Sequence, residues 1–390
     1  MARHLPILIS GGGIGGLSAA IALARTDRDV RVLEREAEIA GAGAGIQLGP
    51  NATRRLQSLG VWDFLEGRTV SPDAIHIGDG LTGGHLARTP LGEHARARYG
   101  APYVTLHRAD LHAGLLRAAR ASERISIETG TAIESFRQND DGVHAVPETG
   151  DAIEADALIG SDGLWSRLRG QVSPAAAPVF SGRTAWRTLV PAASLPEEWS
   201  RASVHLWLGP DAHLVHYPVE GGRLVNVVAV IEDAEAEPGW NQPGEAERLL
   251  AAFARWDSKL RERLLAAAPS WRRWSLFRMP PLPRWAQGRV ALMGDAAHPV
   301  LPFLAQGAAL AIEDAAALGS VVRYSGGDLT AALARFEATQ RARAARVQAE
   351  SARMGRIYHF SGPAKLARNL ALRASPPKRL LSRFDWLYRG

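Results

Sequence analysis

The sequence predicts an α/β protein: a doubly wound parallel sheet, a mostly antiparallel sheet inserted into it, and helices closing the chain. Three observations carry this expectation. Near the N-terminus an apolar strand runs through a cluster of glycines into a helix and then a second strand, the alternation of a parallel sheet. Between about Val179 and Val230 short strands follow one another with only turns between them, the pattern of an antiparallel sheet. From Phe336 to Met354 alanine and arginine dominate at helical period, and the basic tail to Gly390 also reads as helix.

Composition bounds the possibilities. A chain of 390 residues suits one large domain with a smaller one. Its 46% hydrophobic and 22% charged residues are ordinary for a soluble globular protein. No apolar run approaches the ~20 residues of a membrane helix, and Leu5 to Ser10 is too short for a signal-peptide core. The expected location is the cytoplasm, without a membrane partner. Cysteine is absent, which excludes disulfides, thiolate metal sites and a Cys-x-x-Cys couple, so redox chemistry would need an organic cofactor. The net charge of +6 is almost wholly arginine, with lysine only at 259, 365 and 378. The arginines are scattered, which favours anion-binding sites on a solvated surface over nucleic-acid binding.

Taken in order, Leu5 to Ser10 is a buried parallel strand. Gly11-Gly12-Gly13-Ile14-Gly15-Gly16 follows, then a helix through Leu17 to Arg25, then the strand Val30 to Leu33 closed by Glu34. A G-x-G-x-x-G between strand and helix, with an acid ending the next strand, is a Rossmann-like dinucleotide fingerprint. Gly11 makes the turn, Gly13 admits the pyrophosphate and Gly16 lets helix pack on sheet, while Ile14 opens the helix whose N-terminus faces the phosphates. Glu34 accepts from the adenosine ribose, and Arg35 beside it belongs to the same candidate site. This fingerprint leaves FAD and NAD open. Two later segments extend it: Ala157 to Gly163, a strand entering a Gly-Asp-Gly turn at Asp162, with Ser166 and Arg169 after it, and Arg289 to Pro299, a strand ending in Gly294-Asp295. An Asp at a strand end accepts from sugar hydroxyls, and a helix starting at Gly307 offers free amides to an anionic ring edge.

The inserted sheet is read as strands Thr184 to Val190, Ser203 to Leu208, His213 to Val219 and Leu224 to Ile231. Alternation puts His213, Val215 and Tyr217 on one face and His216 on the other, where a structural role is expected. Arg187 reads equally as a bidentate partner for a substrate carboxylate and as a surface strand arginine. Glu245 to Ala267 reads as one amphipathic helix, and Trp271 to Trp285 as the segment returning the chain to the first domain.

Together these segments resemble the group A flavoprotein aromatic hydroxylases, of the p-hydroxybenzoate hydroxylase fold. The most similar branch is that of salicylate hydroxylase, 3-hydroxybenzoate 6-hydroxylase and 6-hydroxynicotinate 3-monooxygenase. The resemblance spans about residues 5 to 350. Gly41 to Ala52, with Gln47, resembles the family's flavin-side loop. Leu106 to Leu111 resembles its Arg-bearing helix start, which implies that Arg108 reaches the flavin phosphates or ribityl chain. It further implies that Asp162 serves FAD and the nicotinamide cofactor, that Asp295 holds the ribityl-pyrophosphate region, and that Pro302, Gly307 and Ala308 lie by the isoalloxazine ring. His213 and Tyr217 resemble the His-to-Tyr pair of that branch, which implies a general base and a substrate anchor. NADH or NADPH would reduce the FAD, and a C4a-hydroperoxide would hydroxylate a small aromatic substrate with O2. A histidine titrating near neutral pH suits the base. Other flavin chemistry (epoxidase, oxidase or halogenase-like) and a non-catalytic ligand sensor stay open, as does a homodimer. The expected domains are 1–72, 104–172 and 280–350 for FAD, 73–103 and 173–279 for substrate, and 351–390 as a helical tail.

Overall fold

The computed structural model describes residues 5–39, 43–174, 177–236 and 241–389. Gly41 and Ala42 of the flavin-side loop lie outside them. Ile7–Ser10 is buried at every position and runs parallel to Val30–Glu34 on one side and Ala157–Gly160 on the other. Ile125–Thr129, Val290–Leu292 and Ala286–Gln287 complete a six-stranded sheet, so segments far apart in the chain build one layer. Covered on both faces, its central strands Ile7–Ser10, Ala157–Gly160 and Val290–Leu292 are buried at every position. Helix Ile14–Ala24 is buried almost all round, between this sheet and helix Gly307–Arg323. A Cβ on Gly319 would meet Ala22 at 3.0 Å, so the two helices approach as closely as a missing side chain permits. A three-stranded sheet, Ile133–Gln138, Val143–Pro147 and Ile153–Ala155, also belongs to this region.

The second sheet has eight strands, in the order Gln242–Gly244, Trp271–Arg278, Val179–Pro191, Leu224–Glu232, Ala212–Val219, Val204–Gly209, Ala74–Asp79 and His85–Pro90. Every neighbouring pair is antiparallel except Val204–Gly209 with Ala74–Asp79. One face, with Trp186, Leu214, Val227 and Ala229, packs on Phe253, Trp256 and Leu260. The other turns towards the first domain, where Ala185 and Val230 meet Leu301 and Phe303.

Two expectations need correction. Glu245 to Ala267 is not one helix: Ala246–Ala252 stops at Phe253, and Asp257 starts a new turn by accepting from the amides of Lys259 and Leu260. The break lets Trp256 enter a slot between Gly80 and Gly209, where any Cβ would collide with its ring. Packing one large indole outweighs helical continuity here. Trp271–Arg278 is a strand of the second sheet, and only the residues after it return the chain. The long helix runs further than expected, Leu329–Tyr358, capped by Asp328 on the amide of Ala331. Behind it the tail forms helices Gly362–Arg373, Pro377–Ser382 and Asp385–Tyr388. Lys365 pairs with Asp79 at 3.0 Å and Arg98 with Asp385 at 2.5 Å, which fastens the tail to the rest of the chain. Among the described residues no helix is long and apolar enough to cross a membrane.

His216, read as structural, belongs to a row of three histidines on adjacent strands, in register as His76, His205 and His216. Their rings stack at 5.1 Å and 4.6 Å between centroids. Burial pushes all three below the ordinary value of 6.5, His205 to about 4. Because the folded values are depressed, the unfolded chain binds more protons below pH 6.5. The stability these groups contribute is complete above that pH and is lost as pH falls towards the folded values, at up to ~1.4 kcal/mol per pH unit for each histidine. The thermal midpoint should therefore fall as pH drops from about 6.5. His216→Phe, which keeps the stack and removes one titration, should flatten that slope; an unchanged slope would refute the assignment.

Candidate active site

The glycine loop is built for a close approach. Gly11 has φ +110°, and a Cβ there would collide with the carbonyl of Ser161; one on Gly16 would collide with the carbonyl of Gly11. A Cβ on Gly13 would meet nothing within 4 Å, so the loop presents its bare side there. Helix Ile14–Ala24 has no side-chain cap, which leaves first-turn N–H groups for an anion. Glu34 accepts from the Gly12 amide at 2.6 Å and from the Glu36 amide at 3.0 Å, with lone pairs left for sugar hydroxyls. Arg35 is exposed and pairs with Glu36 at 3.2 Å. His112, not anticipated from the sequence, sits 2.8 Å from the Gly12 carbonyl and ties the Arg108–Arg120 helix to the loop.

The Asp162 and Asp295 turns are joined by one side chain. Arg169 is buried and donates to the carbonyls of Ala296 at 2.7 Å, Leu164 at 2.8 Å, Asp295 at 3.1 Å and Gly163 at 3.2 Å. The carboxylate of Asp162 accepts from the Arg167 amide at 2.9 Å, while its other oxygen is buried without a partner among the described residues. Burial pushes Asp162 above the usual carboxylate range. Asp295 has an exposed side chain, yet protein surrounds it densely enough that desolvation raises its pKa against His298, Arg108 and Arg169. Beneath it His298 and Asp314 lie 2.6 Å apart, and Asp314 accepts from the Gly294 amide at 2.9 Å, which fastens the turn to helix Gly307–Arg323.

That helix carries Gln306 as N-cap without a capping side chain, so Gly307 and Ala308, both half-buried, have free first-turn amides. The turn Pro302–Leu304 precedes it, with Ala305 held at φ +53°, a conformation unusual for alanine. Opposite stands the inner face of the eight-stranded sheet. Tyr217 is buried, shares a side-chain hydrogen bond with Gln47, and has its pKa pushed up to about 12 by burial. Gln47 also accepts from Tyr103 at 2.7 Å, so it bridges two tyrosines. The Arg187 guanidinium lies 5.2 Å over the Trp274 ring, with Nε buried and unpartnered among the described residues; burial lowers its pKa, and Tyr217 and Arg108 are the charged or titrating neighbours. His213 is buried with its ring edge-on to Phe303 at 5.4 Å and its Nδ1 2.8 Å from His359 Nε2. Burial, His359 and Arg183 hold it well below the ordinary histidine value, so it is neutral at pH 7 rather than titrating near it.

The residues fit FAD: a bare glycine flank, uncapped helix starts and a buried carboxylate oxygen on Asp162 without a partner among the described residues are what a dinucleotide with sugar hydroxyls requires. Comparison with known proteins agrees. Residues 4–351 match the FAD binding domain family. The chain is 38% identical over 386 residues to 3-hydroxybenzoate 6-hydroxylase of Polaromonas naphthalenivorans (strain CJ2), covering 98% of this chain and 96% of that one. It is also 38% identical over 387 residues to 3-amino-4-hydroxybenzoate 2-monooxygenase of Streptomyces cremeus, covering 99% and 95%. Among solved structures, HpxO of Klebsiella pneumoniae complexed with FAD and uric acid superposes with a TM-score of 0.88 at 26% identity, covering 99% and 97%. The chain belongs to the FAD-binding monooxygenase family. It binds FAD and is a flavoprotein monooxygenase.

Two measurements probe this site. Asp295→Ala should raise the Kd for FAD by the equivalent of about 1–3 kcal/mol, since sugar hydroxyls or bridging waters lose an acceptor; unchanged affinity would show that the strand end faces elsewhere. Arg169→Lys keeps the charge but cannot fan across four carbonyls, so both the thermal midpoint and FAD affinity should fall, by about 2 kcal/mol. Loss of neither would show that the two turns hold themselves.

Proposed function

We propose that the chain hydroxylates a small aromatic carboxylate that already bears a hydroxyl group, a hydroxybenzoate- or hydroxynicotinate-like compound, with O2 and NADH or NADPH. The observation that carries this reading is Arg187, on the same sheet face as His213 and Tyr217, whose buried Nε has no partner among the described residues. A buried cation with spare donors calls for an anion, and a carboxylate accepts two parallel N–H bonds from it. The relatives named for activity on 3-hydroxybenzoate and on 3-amino-4-hydroxybenzoate belong to the same substrate class.

Bound FAD would carry the reducing equivalents of NADH or NADPH to O2 and activate the oxygen that is transferred. The protein's part is to orient and to exclude water. Arg187 holds the carboxylate and Tyr217 anchors the ring, leaving the substrate hydroxyl for His213. Loss of that hydroxyl's proton raises electron density in the ring and makes it a better nucleophile, and contact with His213 favours the deprotonated form. Leu301, Phe303, Val228 and Leu276 form an apolar wall that keeps the reaction dry. Gly11, Gly13, Gly16, Glu34, Arg108 and Asp162 hold the dinucleotide in this reading, with Asp295, Pro302, Gly307 and Ala308 towards its ring.

A panel of hydroxylated benzoates and nicotinates, with NADH consumption followed and products identified by mass, tests the substrate class. Stimulation without an added oxygen in any product would overturn it. His213→Ala should still bind FAD and accept electrons from NADH, yet release hydrogen peroxide in place of product, with hydroxylation reduced by at least about 10²-fold. Normal coupling in that variant would remove His213 from the reaction.

A further inference from the structure

His213 has two ring nitrogens, and the fold has already committed one. Nδ1 lies 2.8 Å from Nε2 of His359, the residue that closes helix Leu329–Tyr358, and both rings are buried. The single hydrogen between them belongs to one ring or the other, and the owner is decided on the far side of His359. There Arg183 Nε donates to His359 Nδ1 at 3.3 Å. A guanidinium has only donors and keeps its proton in proteins, so His359 Nδ1 is the acceptor. Burial and the cations Arg183 and Arg368 hold His359 at about 3, and His213 is also depressed, so both rings are neutral and carry one hydrogen each. The hydrogen of His359 therefore sits on Nε2 and is donated to His213 Nδ1. The hydrogen of His213 is then on Nε2, which has no hydrogen-bond partner in the protein among the described residues.

Glu232 is the group that would reverse this order, because a carboxylate accepting from His359 Nδ1 would turn both rings to the opposite tautomer. Its Oε1 is 3.9 Å away, beyond hydrogen-bond range, and Arg183 Nη2 faces the same carboxylate at 3.8 Å. Arg183 is itself held over the Phe303 ring at 5.5 Å. Arg368 donates to the carbonyls of Tyr358 at 2.7 Å and Ile357 at 3.0 Å, which fixes the helix end that carries His359.

We infer that His359, oriented by Arg183, is a positioning residue that sets the tautomer of His213, so that His213 offers Nε2–H to the substrate's ring oxygen as a hydrogen-bond donor and is not the base that removes its proton. This rests on the reading that His213 meets that oxygen. A proton arriving at Nε2 would find the site filled, and Nδ1 is taken by the donor of His359. The donor instead favours the deprotonated form of the substrate hydroxyl, whose proton leaves to solvent as the substrate binds, and that anion is the better ring nucleophile.

The test begins with wild-type holoenzyme carrying nitrogen-labelled histidine, free of substrate, observed by nitrogen NMR at neutral pH. The His213 signals, identified by their loss in His213→Ala, should show hydrogen on Nε2; hydrogen on Nδ1 would overturn the inference without touching the proposed reaction. His359→Gln still presents an N–H to His213 and should keep the tautomer and coupled hydroxylation within about threefold. His359→Glu can only accept, so it should move the hydrogen to Nδ1 and lower coupled product by about 10²-fold while FAD stays bound and reducible. Full coupling in His359→Glu with the hydrogen moved would overturn the positioning role. Full coupling in His213→Ala, with wild-type hydrogen on Nε2, would instead sink the substrate reading and leave the tautomer standing.

Discussion

Arg169 is the one side chain on which the two aspartate turns depend. A buried guanidinium costs several kcal/mol in lost hydration unless its donors are met. Here they are met by four carbonyls from two turns that are more than a hundred residues apart in the chain. The guanidinium is planar and rigid, so the carbonyls it satisfies are held in one mutual arrangement. Asp162 and Asp295 extend from those turns, and their spacing follows from the clamp. Asp314 secures the same turn from below through His298 and the Gly294 amide, which extends the constraint into helix Gly307–Arg323. Turns and helix thus share one framework, ordered by the fold's own contacts.

The eight-stranded sheet divides its work by face. Outward residues such as Trp186, Leu214 and Ala229 are spent on packing against the helical segment that holds Phe253 and Trp256. That burial leaves the inward face free to carry polar groups, because the sheet's stability does not rest on them. Arg187, His213 and Tyr217 are therefore tolerated at positions where an isolated strand would favour valine or isoleucine. Asn226, in the same inner row, accepts from the Gly45 amide at 2.8 Å and fastens the sheet to the flavin-side loop. The tail reinforces the whole: Arg343 pairs with Glu313 and also donates to the carbonyls of Leu387 and Trp386, at 2.7 Å and 3.1 Å. Glu313 lies on helix Gly307–Arg323, so the C-terminal segment supports that helix from behind.

What the sequence by itself determined is local. The glycine spacing, the acid at the end of the second strand and the two Gly-Asp turns are short-range patterns, because each turn's geometry depends on its own residues. Alternation was enough to put His213 and Tyr217 on one face of a strand, since that period is a property of the backbone. Only the tertiary structure decided which face looks inward, and that Gln47 would bridge Tyr217 to Tyr103 from a distant loop. The helix expected through Trp256 broke because its indole had a better slot between Gly80 and Gly209, a contact no local pattern carries. Arg169 stood in plain view after the Gly-Asp-Gly turn, but its carbonyl partners lie in a segment far along the chain. His359 gave no signal at all, since a histidine ending an Ala/Arg helix has no distinctive neighbours in sequence. The tautomer of His213 depends on Arg183, His359 and Glu232 together, and hydrogen-bond direction between buried rings is set by the whole surrounding network rather than by any one stretch of chain.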